Sequence, residues 1–445
     1  MNPDQVKYSS SAQEATAAEA ELIIFRSELP SYNPANNKFV RINLPVAPQG
    51  FIDFSDTVLS LKFTNRSHIT DTASASGAAV RTQLSNLIKS VSILNQDSEQ
   101  IEYINNYNLC VNIIDDYTMS VGRKRSVDSI LAGGSASGDP NAAAAINGSA
   151  ATTAADGSSK TLCDGLMTGF TSGQYLSPLG FLKQGVPCAI VLELEDPATA
   201  LKFVTVDDVH ATPSYAVSDV QLRAKQIKFN SMFNATFMTS MAQAGATGIH
   251  YVTESFLHTQ NALNSGVSGT QNVNFSMNPR SAKYLVVCHR LESDVTNKDK
   301  LSLGTRSSAA ITQYSMELMG RQVPSQPIEV SDTNISQAYS QVLDAFGQIN
   351  NMSHQNLINS ASANTSFYSS TQATPTKYIS ALVLEDFNSA TNSNTYSGLD
   401  LSTNSTMAYR PVIGTSLSGA YRLDLICSID ISFHYTADGR CFSVK

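Results

Sequence analysis

The sequence contains no tryptophan and few charges, and each shortage excludes something. Sugar-binding sandwiches usually stack a ring against the sugar, and tryptophan is the commonest choice, so its absence weakens a lectin reading. Charged residues make up only 15% of the chain against 42% hydrophobic, where ordinary domains carry about a quarter charged. The surface must therefore be mostly neutral and polar, which is unusual for a cytosolic enzyme. It suits a protein whose surface is consumed by packing against copies of itself, because charge is depleted from interface cores.

Catalytic signatures are missing too. There is no phosphate loop, no His-Glu-x-x-His, no Cys-x-x-Cys and no Gly-x-Ser-x-Gly elbow. The string Gly133-Gly134-Ser135-Ala136-Ser137-Gly138 lacks the lysine of a phosphate loop and lies in low-complexity sequence. Six cysteines (Cys110, Cys163, Cys188, Cys288, Cys427, Cys441) have no paired spacing, and a chain of 445 residues needs no disulfide staples, so they read as reduced or buried thiols. No apolar run approaches the ~18 residues of a membrane span and no secretory signal opens the chain, so synthesis in the cytosol is expected and the sequons at Asn65, Asn234 and Asn404 read as chance.

The seven histidines (His68, His210, His250, His258, His289, His354, His434) never fall at a spacing that puts two ligands on one face. His250 and His258 are the closest pair, and Cys288 and His289 should point to opposite faces of a strand. Neighbouring carboxylates at Asp115–Asp116 and Asp207–Asp208 do not face each other and cannot form a dyad alone. The first pair reads as the exposed side of a helix and the second as a turn closing a domain. No catalytic centre, cofactor or metal is expected. A net charge of -8 and a pI near 5.4 argue against coating phosphate, so no sequence-specific nucleic-acid binding is expected. The one basic cluster, Arg123-Lys124-Arg125, reads as a solvated loop.

What is present is β pattern. Residues 1–21 are polar and Ala-rich and read as an arm, mobile or with a short helix at 11–21. From there, short runs rich in β-branched and aromatic residues recur between turn residues: 22–25, 39–44, 58–63, 88–94, 189–194 and 201–206, then 221–229, 249–253, 273–277, 284–289, 311–319, 378–384 and 421–435. The last alternates apolar and polar residues, the mark of a strand with one buried face. Helical periodicity occurs at 101–117 (IEYINNYNLCVNIIDDY) and 335–349 (ISQAYSQVLDAFGQI). Each follows a strand, a turn and a further short segment, so one plan occurs once per half. Two stretches rich in small polar residues, 126–173 and 351–376, cannot build a core and read as long surface loops.

Taken in order, several stretches resemble the double jelly-roll major capsid proteins of adenoviruses, membrane-containing phages, large nucleocytoplasmic DNA viruses, virophages and polinton-like viruses. They are Tyr32-Asn33-Pro34 with Gly50-Phe51-Ile52-Asp53-Phe54; Leu87 to Asn95 with Ile101 to Asn108; Ser177-Pro178-Leu179-Gly180-Phe181-Leu182 with Val191 to Glu195; and Arg280 to Val287 with the alternating 421–435 segment. The resemblance implies an all-β chain with two consecutive eight-stranded jelly rolls, 22–210 and 211–445, behind the arm 1–21. It also implies no enzyme but a shell subunit: a homotrimer with a pseudo-hexagonal base that meets neighbouring capsomers in an icosahedral virion. Minor capsid, penton or membrane proteins would lie on the inner face, and the long loops would form the outer tower. The alternative is a β-sandwich binding protein such as a viral spike or lectin-like receptor-binding protein. A cupin-like enzyme would require clustered histidines or carboxylates on strands.

Overall fold

The protein is described from a computed structural model, which covers residues 18–69, 79–133, 157–173, 175–183, 187–203, 211–245, 248–295, 297, 303–304, 306–349, 351, 356, 358, 366–372, 374–384, 396–403 and 407–445. The segment 1–17, the Asp207–Asp208 turn, Asn404, His210, His354 and the Gly-rich string beyond Gly133 lie outside the described residues.

Eight principal strands follow one another from Ala18: β1 (Ala18–Arg26), β2 (Phe39–Asn43), β3 (Gly50–Asn65), β4 (Ile88–Leu94), β5 (Gln100–Ile104), β6 (Ser159–Asp164), β7 (Ala189–Leu194) and β8 (Tyr215–Phe229). Eight more follow: β9 (Ile249–Leu263), β10 (Val273–Phe275), β11 (Ala282–Leu291), β12 (Ile311–Leu318), β13 (Arg321–Glu329), β14 (Ile379–Val383), β15 (Met407–Ile413) and β16 (Tyr421–Tyr435). The first set makes one sheet in the order β1-β8-β3-β6 and a second in the order β2-β7-β4-β5. The second set makes β9-β16-β11-β14 and β10-β15-β12-β13. Adding eight to every label of the first pair of sheets gives the second pair. All pairings are antiparallel, and each set is a jelly roll, two four-stranded layers joined by Greek-key crossings around one core. Short strands at Ser31–Tyr32, Leu176–Ser177 and Cys441–Val444 extend these sheets.

The sequence signals place the boundary between rolls at 210/211, and strand pairing in the structure runs across that point. Tyr215–Phe229, assigned by pattern to the second roll, pairs with β1 from Ala18↔Phe229 to Arg26↔Gln221 and with β3 on its other edge. The last strand of a jelly roll lies beside the first, so the turn residues before β8 mark an internal crossing. The connection to the second roll is a helix, α2 (Ser231–Ala244), capped by the Asn230 side chain, which accepts from the Phe233 N–H at 2.8 Å.

Helix α1 (Tyr107–Thr118) lies between β5 and β6, and α3 (Ser336–Ala345) between β13 and β14, the same place in each roll. The 101–117 pattern predicts helix throughout, but its first residues form strand β5. The break falls at Asn106, which has a left-handed backbone with φ 47°; Ile101 and Ile104 match a helical stripe and a buried strand equally well. At the other end, residues 18–21, expected in the arm, belong to β1.

Strand β16 is buried on both faces despite its alternating letters. Its own roll covers one side, and the first roll helps to cover the rest: Phe433 meets Phe170 edge to face, with ring centroids 5.4 Å apart.

Candidate functional site

Among the described residues the sequence-flagged histidines lie apart from one another, one stacked pair excepted. His250 and His434 are opposite one another in the β9–β16 register and stack at 5.0 Å, with Phe442 stacked beyond. His289 is fully buried and its Nε2 lies 3.1 Å from the Tyr409 hydroxyl; burial pushes its ring down to about 3, so it is neutral. His258 sits against Asp424. Among the described residues no three His, Cys, Asp or Glu side chains gather as a metal set, and the six cysteines are free thiols.

The polar chemistry instead gathers where the two rolls meet. Helix α1 presents Asn108, Asn112 and Asp116, spaced four apart on one face, and all three are buried. Asn108 donates to Glu195 at 2.7 Å and Asn112 to Asn86 at 2.9 Å, both inside the first roll. Asp116 is expected exposed; instead its carboxylate accepts from Lys124 at 2.9 Å and, across the seam, from Arg306 at 2.8 Å and Lys377 at 3.0 Å. Lys124, expected in a solvated basic loop, is thereby buried, whereas Arg123 and Arg125 stay exposed. Burial alone would raise the Asp116 carboxyl, but Lys124, Lys377 and Arg306 together hold it below the carboxylate range. Burial pulls Lys377 down to about 8 against the attraction of Asp116. Beside this centre the Tyr117 hydroxyl donates to the Lys377 carbonyl at 2.6 Å, and its ring stacks on Phe346 of the second roll at 5.5 Å.

Two further carboxylates work the same seam. Glu102 of β5 accepts from the backbone N–H groups of Gly169 and Phe170 at 2.8 and 3.0 Å and from the Ser255 hydroxyl of β9 at 2.5 Å. Burial raises its carboxyl in spite of those donors. Asp424 of β16 accepts from Arg290 at 2.8 Å and from His258 at 2.9 Å, and His258 in turn lies 3.1 Å from Asn106 of the first roll. Burial would raise Asp424, and Arg290 with His258 holds it low. Removing Asp116 or Asp424 strands buried cations, and removing Glu102 leaves buried donors unpaired, so these carboxylates fix the relative placement of the rolls more sharply than apolar contact would.

The remaining distinctive surface is apolar. Leu22 and Ile24 of β1 are 61% and 44% exposed, and Met232 on α2 is 78% exposed. Helix α2 carries no charged residue. No sequence signal separated it from its neighbours, because its apolar residues do not form one stripe. Phe51 packs against Phe229, Phe233 and Phe237 and anchors this helix to the first roll. Exposed apolar clusters on a folded protein mark contact surfaces.

Neither a family model nor a curated protein matches the chain. In structure it is similar to the capsid protein in a quasi-atomic model of the PBCV-1 virus capsid, with 11% identity, a TM-score of 0.60, and 98% of this chain and 97% of that chain covered. It is similar to the Faustovirus major capsid protein at 9% identity and a TM-score of 0.59, covering 96% of this chain and 93% of that one. A chain of the Sputnik virophage matches at 10% identity and a TM-score of 0.56, covering 100% of this chain and 92% of that one. At such identities the fold is what is shared, and it is the double jelly roll, over the whole chain.

Proposed function

We propose that this protein is the major capsid protein of an icosahedral virus, assembling as a homotrimer whose six rolls form a pseudo-hexagonal building block of the shell. The observation that carries the reading is the eight-by-eight repeat of strand order, matched end to end by capsid subunits of nearly the same extent. Two rolls of one plan give each subunit two similar lateral faces, and three subunits give six, so one chain can fill six-coordinated positions by quasi-repeated contacts. On this reading the first roll runs from residue 18 to Phe229 and the second from Ile249 to Lys445. The protein acts through assembly and not through catalysis, resides in the virion after synthesis in the host cytoplasm, and meets neighbouring capsomers and minor shell or membrane proteins. The exposed apolar residues of β1 and α2 supply subunit contacts. The spike or lectin-like alternative has no feature of its own in its favour.

The test is the mass of the purified protein in solution. Three chains of 47.7 kDa give about 143 kDa, and mass photometry at micromolar concentration is expected to find that species. A monomer alone at that concentration would overturn the proposal.

A further inference from the structure

A cleft of about 740 Å³ opens between the rolls, within the size range of small-molecule sites. From the first roll it is walled by the last turns of α1 and the segment after β6; from the second, by β9, β11 and the end of α3. Its apolar lining includes Phe256, Tyr284 and Phe346, and its acidic lining includes Asp115 and Asp164.

The charges of this cleft are unevenly matched. Glu254 is answered by Lys283 at 3.5 Å and accepts from Ser428 at 2.6 Å. Among the described residues the Asp164 carboxylate accepts only its neighbour's N–H, from Gly165 at 2.8 Å. The Asp115 backbone carbonyl accepts from Met119 at 3.1 Å, but its carboxylate makes no hydrogen bond or ion pair among the described residues. Lys124, the cation that acts on it, is committed to Asp116 at 2.9 Å; Arg123, which also lines the cleft and acts on Asp164, lies 4.0 Å from Asp128. The C-terminal ends of α1 and α3 both border the cleft, adding the negative ends of two helix dipoles. Burial pushes Asp115 up to about 8, with the negative charge of Asp164 adding to it, and burial pushes Asp164 up to about 6.

We propose that this cleft is a binding site for an organic dication with an apolar stem, an alkyl-diammonium ion, its two ammonium groups taken by Asp115 and Asp164 and its methylenes lying on the aromatic wall. Aromatic residues in the lining favour an ammonium ion over a neutral ligand. The apolar lining disfavours a bare divalent metal, which asks for six or more oxygen ligands. The proposal stands independently of the capsid reading, since the cleft lies within one chain.

The probe is 1,5-diaminopentane, titrated by calorimetry into the purified full chain at low salt. Saturable binding is expected, tightening as pH rises from about 5.5 to 8.5 because both carboxyls must give up their protons to take the dication. Asp115→Asn and Asp164→Asn should each weaken it by about tenfold or more, the loss of one charge-assisted contact. Asparagine matches the shape of the uncharged acid, so both variants should keep the wild-type thermal transition; a surface control, Glu193→Gln, should bind as wild type. Absence of saturable heat up to about 10 mM, or undiminished binding by the Asp115→Asn/Asp164→Asn double variant, would overturn the proposal. So would tighter binding of calcium than of the diamine.

Discussion

Replacing Asp116 by asparagine removes the carboxylate that, among the described residues, bridges three cations at the seam. The side chains of Arg306, Lys377 and Lys124 are 0%, 4% and 10% exposed, so no water takes over the lost charge. Deleting one partner of a buried ion cluster costs about 3–5 kcal/mol. Unfolding entropy of about 2.1 cal/mol/K per residue makes a 445-residue cooperative unit worth about 0.9 kcal/mol/K, so the midpoint should fall by about 3–5 °C. If each roll of about 210 residues unfolds alone, the same cost is about 7–11 °C. Scanning calorimetry reads both the shift and the number of transitions, and it needs no tryptophan. Lys377→Met is the companion variant: it leaves Asp116 with Lys124 and Arg306 and removes a surplus cation, at an expected cost below about 1.5 kcal/mol. The sign of its pH dependence follows from Lys377 lying near 8 in the fold and near its ordinary 10.5 when unfolded. The unfolded chain binds more protons between those values, so wild-type stability should rise with pH across that window and Lys377→Met should lose the rise. A Lys377→Met loss equal to that of Asp116→Asn, or an Asp116→Asn shift under about 1 °C, would refute the idea that one carboxylate holds the cluster.

Two other outcomes are open to measurement. His289 titrates near 3 in the fold against an ordinary 6.5, so the unfolded chain takes up its proton first; stability should fall as pH drops from about 6.5 toward 3, and His289→Asn should flatten that part of a chemical-denaturation series. Met232→Glu and Met238→Glu place charge on the exposed apolar side of α2, and mass photometry should show the proposed trimer weakened while the unfolding midpoint of the rolls stays within about 1 °C of wild type.

Most strands were legible because period-two runs between turn residues report local burial, and 88–94, 189–194 and 421–435 coincide with β4, β7 and β16. The repeated step from paired strands into a helix was legible for the same reason. What local pattern could not report was pairing at long range: nothing in the letters of 215–229 says that β1 is its neighbour, and the turn signals before it imitate a boundary. The carboxylates of the seam were hidden for a related reason. Asp116 and Glu102 look like surface charges until the second roll supplies Arg306, Lys377 and Ser255. Helix α2 escaped because its uncharged, apolar sequence has no single face to detect.

The β1–β8 pairing also sets a timetable for the chain as it leaves the ribosome. Ala18 must wait for Phe229 before its strand is covered, and Ile249 must wait for Tyr435 in the same way. During both intervals an unfinished sheet edge is exposed, the state in which β-proteins are slow to fold and prone to join the wrong partner. Gly439 then closes the order of events: its carbonyl accepts from Lys183 at 2.9 Å and from the Gln96 side chain, so the segment after β16 docks back on the first roll. A nascent chain therefore reaches the paired-roll form only after the segment around Gly439 has left the ribosome.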